Sequence, residues 1–328
     1  MNVLIIGSGS IGTRHLNNTI ILHPQYKLTV VSRSKTALDF ENVKVVSSLS
    51  EAFSEVPFFD AAIVATPTSL HVENAIELIQ KGIKKLYIEK PISHSFDSID
   101  KLVSISDQQN VQVFVGFDMR FDPGLNQVKQ LLTNKAMGNL ISIQAEVGQF
   151  LPDWRPETNY KEGMSAKVNL GGGVMLDLIH EFDYLSWLIG PFKRIVGLNK
   201  KIDSLAIETE GISVNLFESE TGVLGTLSLD YIQKNLNRKS KFIGDLGTIE
   251  WNYVSSEVKW KTHTESDWNY FHYTDFERND RFLHILDAFY AASNSEIDAR
   301  LTSLEESLVS LKAVLDAKTS DKLIPIIT

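Results

Sequence analysis

The sequence predicts an α/β protein in two parts: a doubly wound parallel sheet, then an α+β region with a large, mostly antiparallel open sheet. Three observations carry that prediction. Short apolar runs alternate with helical patterns through the first third of the chain, and a glycine-rich turn stands directly behind the first run. Closely spaced alternating runs, separated by turn residues, then fill residues 211–264. Strands alternating with helices form right-handed βαβ units whose sheet is covered on both faces. Short runs joined by tight turns pair antiparallel instead.

Taken in order, VLIIG (3–7), KLTVVS (27–32), KVV (44–46), AAIVAT (61–66), KLYIEK (85–90) and VQVFVGF (111–117) are expected as buried strands. Between them, SLHVENAIELIQKG (69–82) has helical periodicity and ends on Gly82, a C-terminal stop signal. After about residue 120 the texture changes. A helix is expected over 124–135 and a strand over 140–150. A further helix starts behind Gly171, Gly172 and Gly173, and two helices around 279–293 and 303–319 close the chain. The length of 328 residues suits two domains, divided as 1–118 and 119–328.

Composition narrows the function classes. A formal net charge of -9 argues against a broad nucleic-acid footprint, which is normally basic. The chain has no cysteine, which excludes disulfides, thiolate metal sites and cysteine nucleophiles. MNVLIIGSGS has no basic stretch ahead of its apolar run, and nowhere do about 18 apolar residues run together. A cytoplasmic chain with no membrane or nucleic-acid partner is expected. No histidine cluster has metal-ligand spacing, so no metal is expected, and there is no G-x-S-x-G elbow.

Gly7, Gly9 and Gly12 in VLIIGSGSIGTRHL have the spacing G-x-G-x-x-G between a strand and a helix. The first glycine serves a tight turn, and the second lets the backbone approach a pyrophosphate. The third lets helix pack on strand, with the helix N-terminus facing the anion. The motif, with Ser10 and Ile11 inside the same turn, predicts a dinucleotide site of the Rossmann type. A carboxylate at the end of the second strand would serve the ribose of NAD(H), and this sequence has none there. It offers Ser32, Arg33 and Ser34, and a guanidinium forks onto a phosphate. NADP(H) is therefore favoured over NAD(H).

Two more strand ends face the same edge. AAIVATPTSLH delivers Thr66, Pro67 and His71, and LYIEKPIS delivers Glu89 and Lys90 where doubly wound sheets bind ligands. Pro91 cannot continue a central strand, which places Lys90 at the lip of the cleft. In LGGGVMLDLIHEFDYL, read at 100° per residue, Leu178, Phe182, Leu185 and Ile189 share one arc. Asp177, His180 and Tyr184 form a separate stripe, expected to face the cleft. The three glycines are expected to let backbone approach a ligand and to leave free amides at the helix start.

GSGSIG, ATPTSLH, EKP and GGGVMLDLIH, in this order, resemble the Gfo/Idh/MocA oxidoreductases over essentially the whole chain. The resemblance implies a nicotinamide-binding Rossmann domain and a second domain whose open sheet is often used for oligomerisation, so a homodimer or homotetramer is expected. It implies a sugar, polyol or nucleotide-sugar substrate. It also implies that Lys90 lies near nicotinamide and substrate, and that Asp177 and His180 face the reacting carbon. Many members place the histidine four residues after the aspartate, whereas here His180 stands at three and Glu181 at four. Imidazole titrates near neutrality, which favours His180; Glu181 is the substitute.

The loop PDWRPETNYKEGMSA (152–166) adds Trp154, Arg155 and Tyr160. A Trp-Arg pair near this point touches the cofactor in members that resemble this chain, and Arg155 could alternatively bind a substrate carboxylate or phosphate. Asp118 stands where many members have asparagine and is expected to contact substrate together with Tyr160. Arg120 is read equally as a structural tie. The expected activity is hydride transfer between nicotinamide and a hydroxyl or keto carbon of an amino, acidic or nucleotide-linked sugar. Lys90, Asp177 and His180 are its expected catalytic groups. A free polyol or inositol is the alternative substrate, and a non-catalytic NADP(H)-binding sensor the alternative class.

Overall fold

A computed structural model describes residues 1–32, 42–154 and 156–320. The chain forms two units, Met1–Asp118 with Arg278–Leu308, and Met119–Glu277 with the residues from Val309 onward. The division expected at residue 118 is thus crossed again by residues 278–308, which return to the first unit.

In the first unit six strands run parallel: β1 (Asn2–Ile6), β2 (Lys27–Val31), β3 (Val43–Val46), β4 (Ala61–Val64), β5 (Lys85–Ile88) and β6 (Gln112–Val115). Helices α1 (Ser10–Leu22), α2 (Leu49–Glu55), α3 (His71–Gln80) and α4 (Ile99–Gln108) connect them. The order β3-β2-β1-β4-β5-β6 reverses between β1 and β4, which is where such sheets bind ligands beyond their carboxyl ends. The apolar runs explain the burial. Val3, Leu4, Ile5, Ala61, Ala62, Ile63 and Val64 are wholly buried, and a buried aliphatic side chain contributes about 1.5–3 kcal/mol. Gly82, at φ +95, terminates α3 as the sequence requires.

The second unit starts with α5 (Pro123–Thr133), capped by the Asp122 carboxylate on Leu125 N at 3.1 Å. Then come β7 (Leu140–Gly148), α6 (Val174–Asp177) and α7 (His180–Ile189). Seven strands follow: β8 (Phe192–Lys200), β9 (Ile212–Ser219), β10 (Leu224–Asp230), β11 (Asn237–Gly244), β12 (Gly247–Asn252), β13 (Glu257–Thr262) and β14 (Asn269–His272). They join β7 in one eight-stranded sheet, β14-β13-β12-β11-β7-β10-β9-β8. All pairs are antiparallel except β7 with β10, which run parallel because helices and two strands intervene before the chain returns beside β7. One sheet face buries Ile143, Val147, Phe217, Leu227, Phe242, Ile249 and Trp251.

The chain then enters α8 (Arg278–Ala291), which lies along α1: Thr19 Oγ1 and Tyr290 OH are 2.8 Å apart, and the Arg14 guanidinium sits 4.6 Å over the Phe282 ring. β15 (Thr302–Ser303) pairs antiparallel with β6, and α9 (Leu304–Thr319) carries the chain into the second unit from Val309. Among the described residues, no helix is long and apolar enough to cross a membrane.

Candidate active site

At the β1–α1 turn the three glycines do three different things. Gly7 has φ +106 and donates to Val31 O at 3.1 Å, and a Cβ there would press on the Ala65 carbonyl. Gly12 lies so close to Gly7 O that a Cβ would overlap it, which is the close helix–strand packing the spacing predicts. Gly9 is unlike both. It precedes the first turn of α1 with an ordinary φ of -71°, and nothing lies within 4 Å of where its Cβ would stand. Packing therefore demands glycine at 7 and 12, while the open space at 9, before the helix N-terminus, fits a pyrophosphate brought against backbone amides.

Around this turn the other strand ends gather. Ser32 is buried with its Oγ 2.5 Å from Ser8 Oγ, and Asn74 donates to Thr66 Oγ1 at 3.1 Å. Pro67 is exposed, ahead of a short 3-10 turn, Thr68–Leu70. Ser10 and Ile11 open α1, exposed and half-buried respectively. Arg33, Ser34 and Arg155 lie outside the described residues. Two residues expected beside the cofactor are occupied otherwise. His71 is buried with Nδ1 2.8 Å from Pro91 O and Nε2 2.8 Å from Thr66 O. Burial pushes its imidazole below the ordinary value, against the pull of those two carbonyls. Glu89 is buried with Oε1 2.6 Å from His15 Nε2. Lys90 follows it, half-buried, and a cis peptide joins it to Pro91.

The second unit departs from the expected single helix. The segment after the glycines breaks at Leu178 and Ile179 into α6 and α7, so one helical wheel cannot place residues on both sides. Tyr184, expected on the cleft stripe, is wholly buried and 2.8 Å from Ser240 Oγ. Glu181 is buried in an ion pair, its Oε1 2.7 Å from Arg238 Nε. Asp183 accepts two bonds from Arg120, Nε to Oδ2 at 2.9 Å and Nη2 to Oδ1 at 2.8 Å. These polar side chains of α7 are core groups with distant partners, which is why their polarity misleads a wheel. Glu181 is thus held in a buried ion pair with Arg238. His180 is half-buried at the start of α7, while its neighbours Ile179 and Glu181 are wholly buried.

The glycines ahead of α6 also differ from expectation. Their amides bond backbone: Gly171 N to Val168 O at 3.0 Å, Gly172 N to Lys167 O at 3.0 Å, and Gly173 N to Ser165 O at 3.1 Å. A Cβ at Gly173, where φ is +117, would strike the Glu210 carboxylate. Their role is to pack a loop tightly rather than to leave free amides.

Asp177 is buried, and its Oδ2 accepts from Tyr231 OH at 2.6 Å. Burial first, then the Asp177 charge, holds the Tyr231 phenol well above its ordinary value, so it remains a donor. The Trp154 ring meets Tyr231 edge-on at 5.4 Å. Tyr231 was missed in the sequence because it lies at the end of β10, 54 residues beyond Asp177. Tyr160 donates its hydroxyl to Leu205 O at 3.0 Å. In the first unit, Asp118 is buried against Arg281, Oδ2 to Nε at 2.9 Å, so a buried ion pair accounts for it without a ligand. Among the described residues, no group of three or more His, Cys, Asp or Glu is placed to hold a metal ion.

Strand order, glycine geometry and the open position at Gly9 define a dinucleotide-binding α/β protein. A family model described as an oxidoreductase family with an NAD-binding Rossmann fold matches residues 1–117, and one described as a GFO/IDH/MocA C-terminal domain matches residues 125–250. The chain belongs to the GFO/IDH/MocA oxidoreductase family. It is similar to the uncharacterized oxidoreductase YrbE of Bacillus subtilis, 28% identical over 194 residues, or 57% of this chain and 53% of that protein. It is also similar to the myo-inositol 2-dehydrogenase of Thermotoga maritima, 26% identical over 195 residues, or 58% of this chain and 55% of that protein. The chain thus spans about half the length of these relatives. In fold it is similar to the WlbA dehydrogenase from Bordetella pertussis, a structure in complex with NADH and UDP-GlcNAcA. The TM-score is 0.78 and the identity 21%, over 97% of this chain and 95% of that one.

Proposed function

We propose that the chain is an NAD(P)-dependent oxidoreductase acting on a CH–OH or keto carbon of a sugar. The observation that carries this reading is the β1–α1 turn, where packing requires glycine at 7 and 12 but leaves open space at 9. NADP(H) is favoured over NAD(H), because the sequence after β2 reads Ser32 and then the basic Arg33, with no carboxylate there of the kind that serves NAD(H). The preferred substrate is an amino, acidic or nucleotide-linked sugar, on the resemblance of residues 154–190 to members of glycan pathways. A free polyol or inositol is the second reading, favoured by the identity shared with the myo-inositol 2-dehydrogenase.

A nicotinamide cofactor held at the glycine turn would supply or accept the hydride. His180 takes the hydroxyl proton on a ring nitrogen in oxidation and returns it in reduction, a role worth about 10²–10⁴-fold. Asp177, which accepts from Tyr231 OH, hydrogen-bonds a substrate hydroxyl or orients the His180 imidazole. The Lys90 ammonium stabilises negative charge developing on the substrate oxygen. Assembly as a dimer or tetramer in the cytoplasm belongs to this reading. It is supported by exposed Leu198, Val214, Leu216 and Leu224 on neighbouring strands β8, β9 and β10. The test is nicotinamide absorbance with both cofactors, oxidised and reduced, across nucleotide sugars, acidic sugars and polyols, with Lys90→Ala as control. A change abolished by the substitution supports the reading; silence across the panel despite tight cofactor binding favours the non-catalytic sensor.

A further inference from the structure

Glu89, Lys90 and Pro91 leave the carboxyl end of β5, and the two outer residues are each held by a buried imidazole from a different helix. On one side His15, in the second turn of α1, brings Nε2 2.6 Å from Glu89 Oε1. On the other His71, the first residue of α3, brings Nδ1 2.8 Å from Pro91 O and Nε2 2.8 Å from Thr66 O. The rings are 0% and 1% exposed. Imidazoles so enclosed, with His15 Nε2 and both nitrogens of His71 set against fixed protein oxygens, do not reach substrate, and their use is geometric. The Glu89 carboxylate has no room to swing. The His15 ring meets the Tyr87 ring edge-on at 5.2 Å, and a Cβ added at Gly116 would stand 2.6 Å from Tyr87 OH and 3.1 Å from Glu89 Oε1.

We propose that His15 and His71 are positioning residues for Lys90. Through Glu89 and Pro91 they fix the main chain on both sides of it, so that its ammonium is offered from one place at the end of the sheet. A buried bond to a charged group is among the stronger restraints available to a side chain, and the His15–Glu89 bond is one; on the other side His71 adds buried contacts to the Pro91 and Thr66 carbonyls. The inference rests on the reading of Lys90 as the electrostatic group of the reaction. The experiment reads Lys90 itself, so the two ideas fail separately.

Trace acetylation of the full chain, followed by peptide mass spectrometry, gives the rate at Lys90 relative to exposed Lys27 in the same sample. ADP-ribose, which has no nicotinamide, reports whether the glycine turn is intact. His15→Leu and His71→Leu should each change the Lys90 rate by about threefold or more, equivalent to about 0.65 kcal/mol, with ADP-ribose binding kept. His71→Gln retains an N–H donor for a carbonyl where neutral His71 has its one N–H, and should restore the wild-type rate. Folded leucine variants that label Lys90 at the wild-type rate would overturn the proposal, as would a glutamine variant no better than leucine. Should the leucine variants not fold, Gly116→Ala decides, because its Cβ presses on the Glu89 carboxylate: a shifted Lys90 rate supports the clamp and an unshifted one overturns it. Shifted labelling in a chain that turns over no sugar keeps the clamp and removes the reaction. Indifferent labelling in an active chain does the reverse.

Discussion

Gly9→Ala separates what the glycine turn does for a ligand from what it does for the fold. Residue 9 has ordinary extended backbone, φ -71° and ψ -177°, and an added methyl meets nothing within 4 Å. Stability should therefore fall by only about 1 kcal/mol, the difference between glycine and alanine at a helix N-cap. The methyl does stand where a pyrophosphate would approach the amides. Loss of one charge-assisted bond costs about 1.5–3 kcal/mol, which is roughly a 10- to 150-fold weaker Kd. The assay is a fluorescence titration with NADPH and NADH, beside a thermal melt of the same samples. Gly12→Ala is the contrast, because its Cβ overlaps Gly7 O and must displace α1; it should lose both stability and binding. Wild-type affinity in Gly9→Ala, or a melt as damaged as that of Gly12→Ala, would refute the reasoning.

Three further outcomes are expected. Tyr231→Phe removes the donor from Asp177 and should lower kcat by about tenfold or more with dinucleotide Kd unchanged, read by steady-state kinetics and titration together. Arg120→Met leaves the buried Asp183 carboxylate without its guanidinium and should cost about 3–5 kcal/mol in urea unfolding, whereas Arg120→Met with Asp183→Leu should recover most of that loss. His71, lowered by burial, holds fewer protons folded than unfolded, so its contribution to stability is present above its ordinary value of 6.5 and lost as pH falls below it. Urea midpoints from about pH 8 to pH 5 should therefore fall more steeply in the wild type than in His71→Gln. Parallel slopes would contradict this account of His71.

The first unit was legible in the sequence because its information is local. Every expected strand from VLIIG to VQVFVGF is a strand, and Gly7 and Gly12 have the packing demands their spacing implies. What escaped depends on partners far along the chain. Tyr184 is expected on the cleft stripe and Glu181 as a substitute acid or base, but Ser240 and Arg238 meet them in the core. The break at Leu178 and Ile179, the parallel pairing of β7 with β10, and the return of residues 278–308 to the first unit likewise follow from tertiary contacts that no periodicity encodes. Tyr231 carried a weak signal as a tyrosine at a strand end, and only the fold sets it on Asp177.

The central claim is direct hydride transfer, and isotope tracing tests it most directly. The sugar that gives the largest absorbance change would be supplied with deuterium on the reacting carbon, and the nicotinamide product examined by mass spectrometry. One deuterium on the nicotinamide ring is the predicted result. A product ring without deuterium, its hydrogen drawn from solvent, would contradict the account.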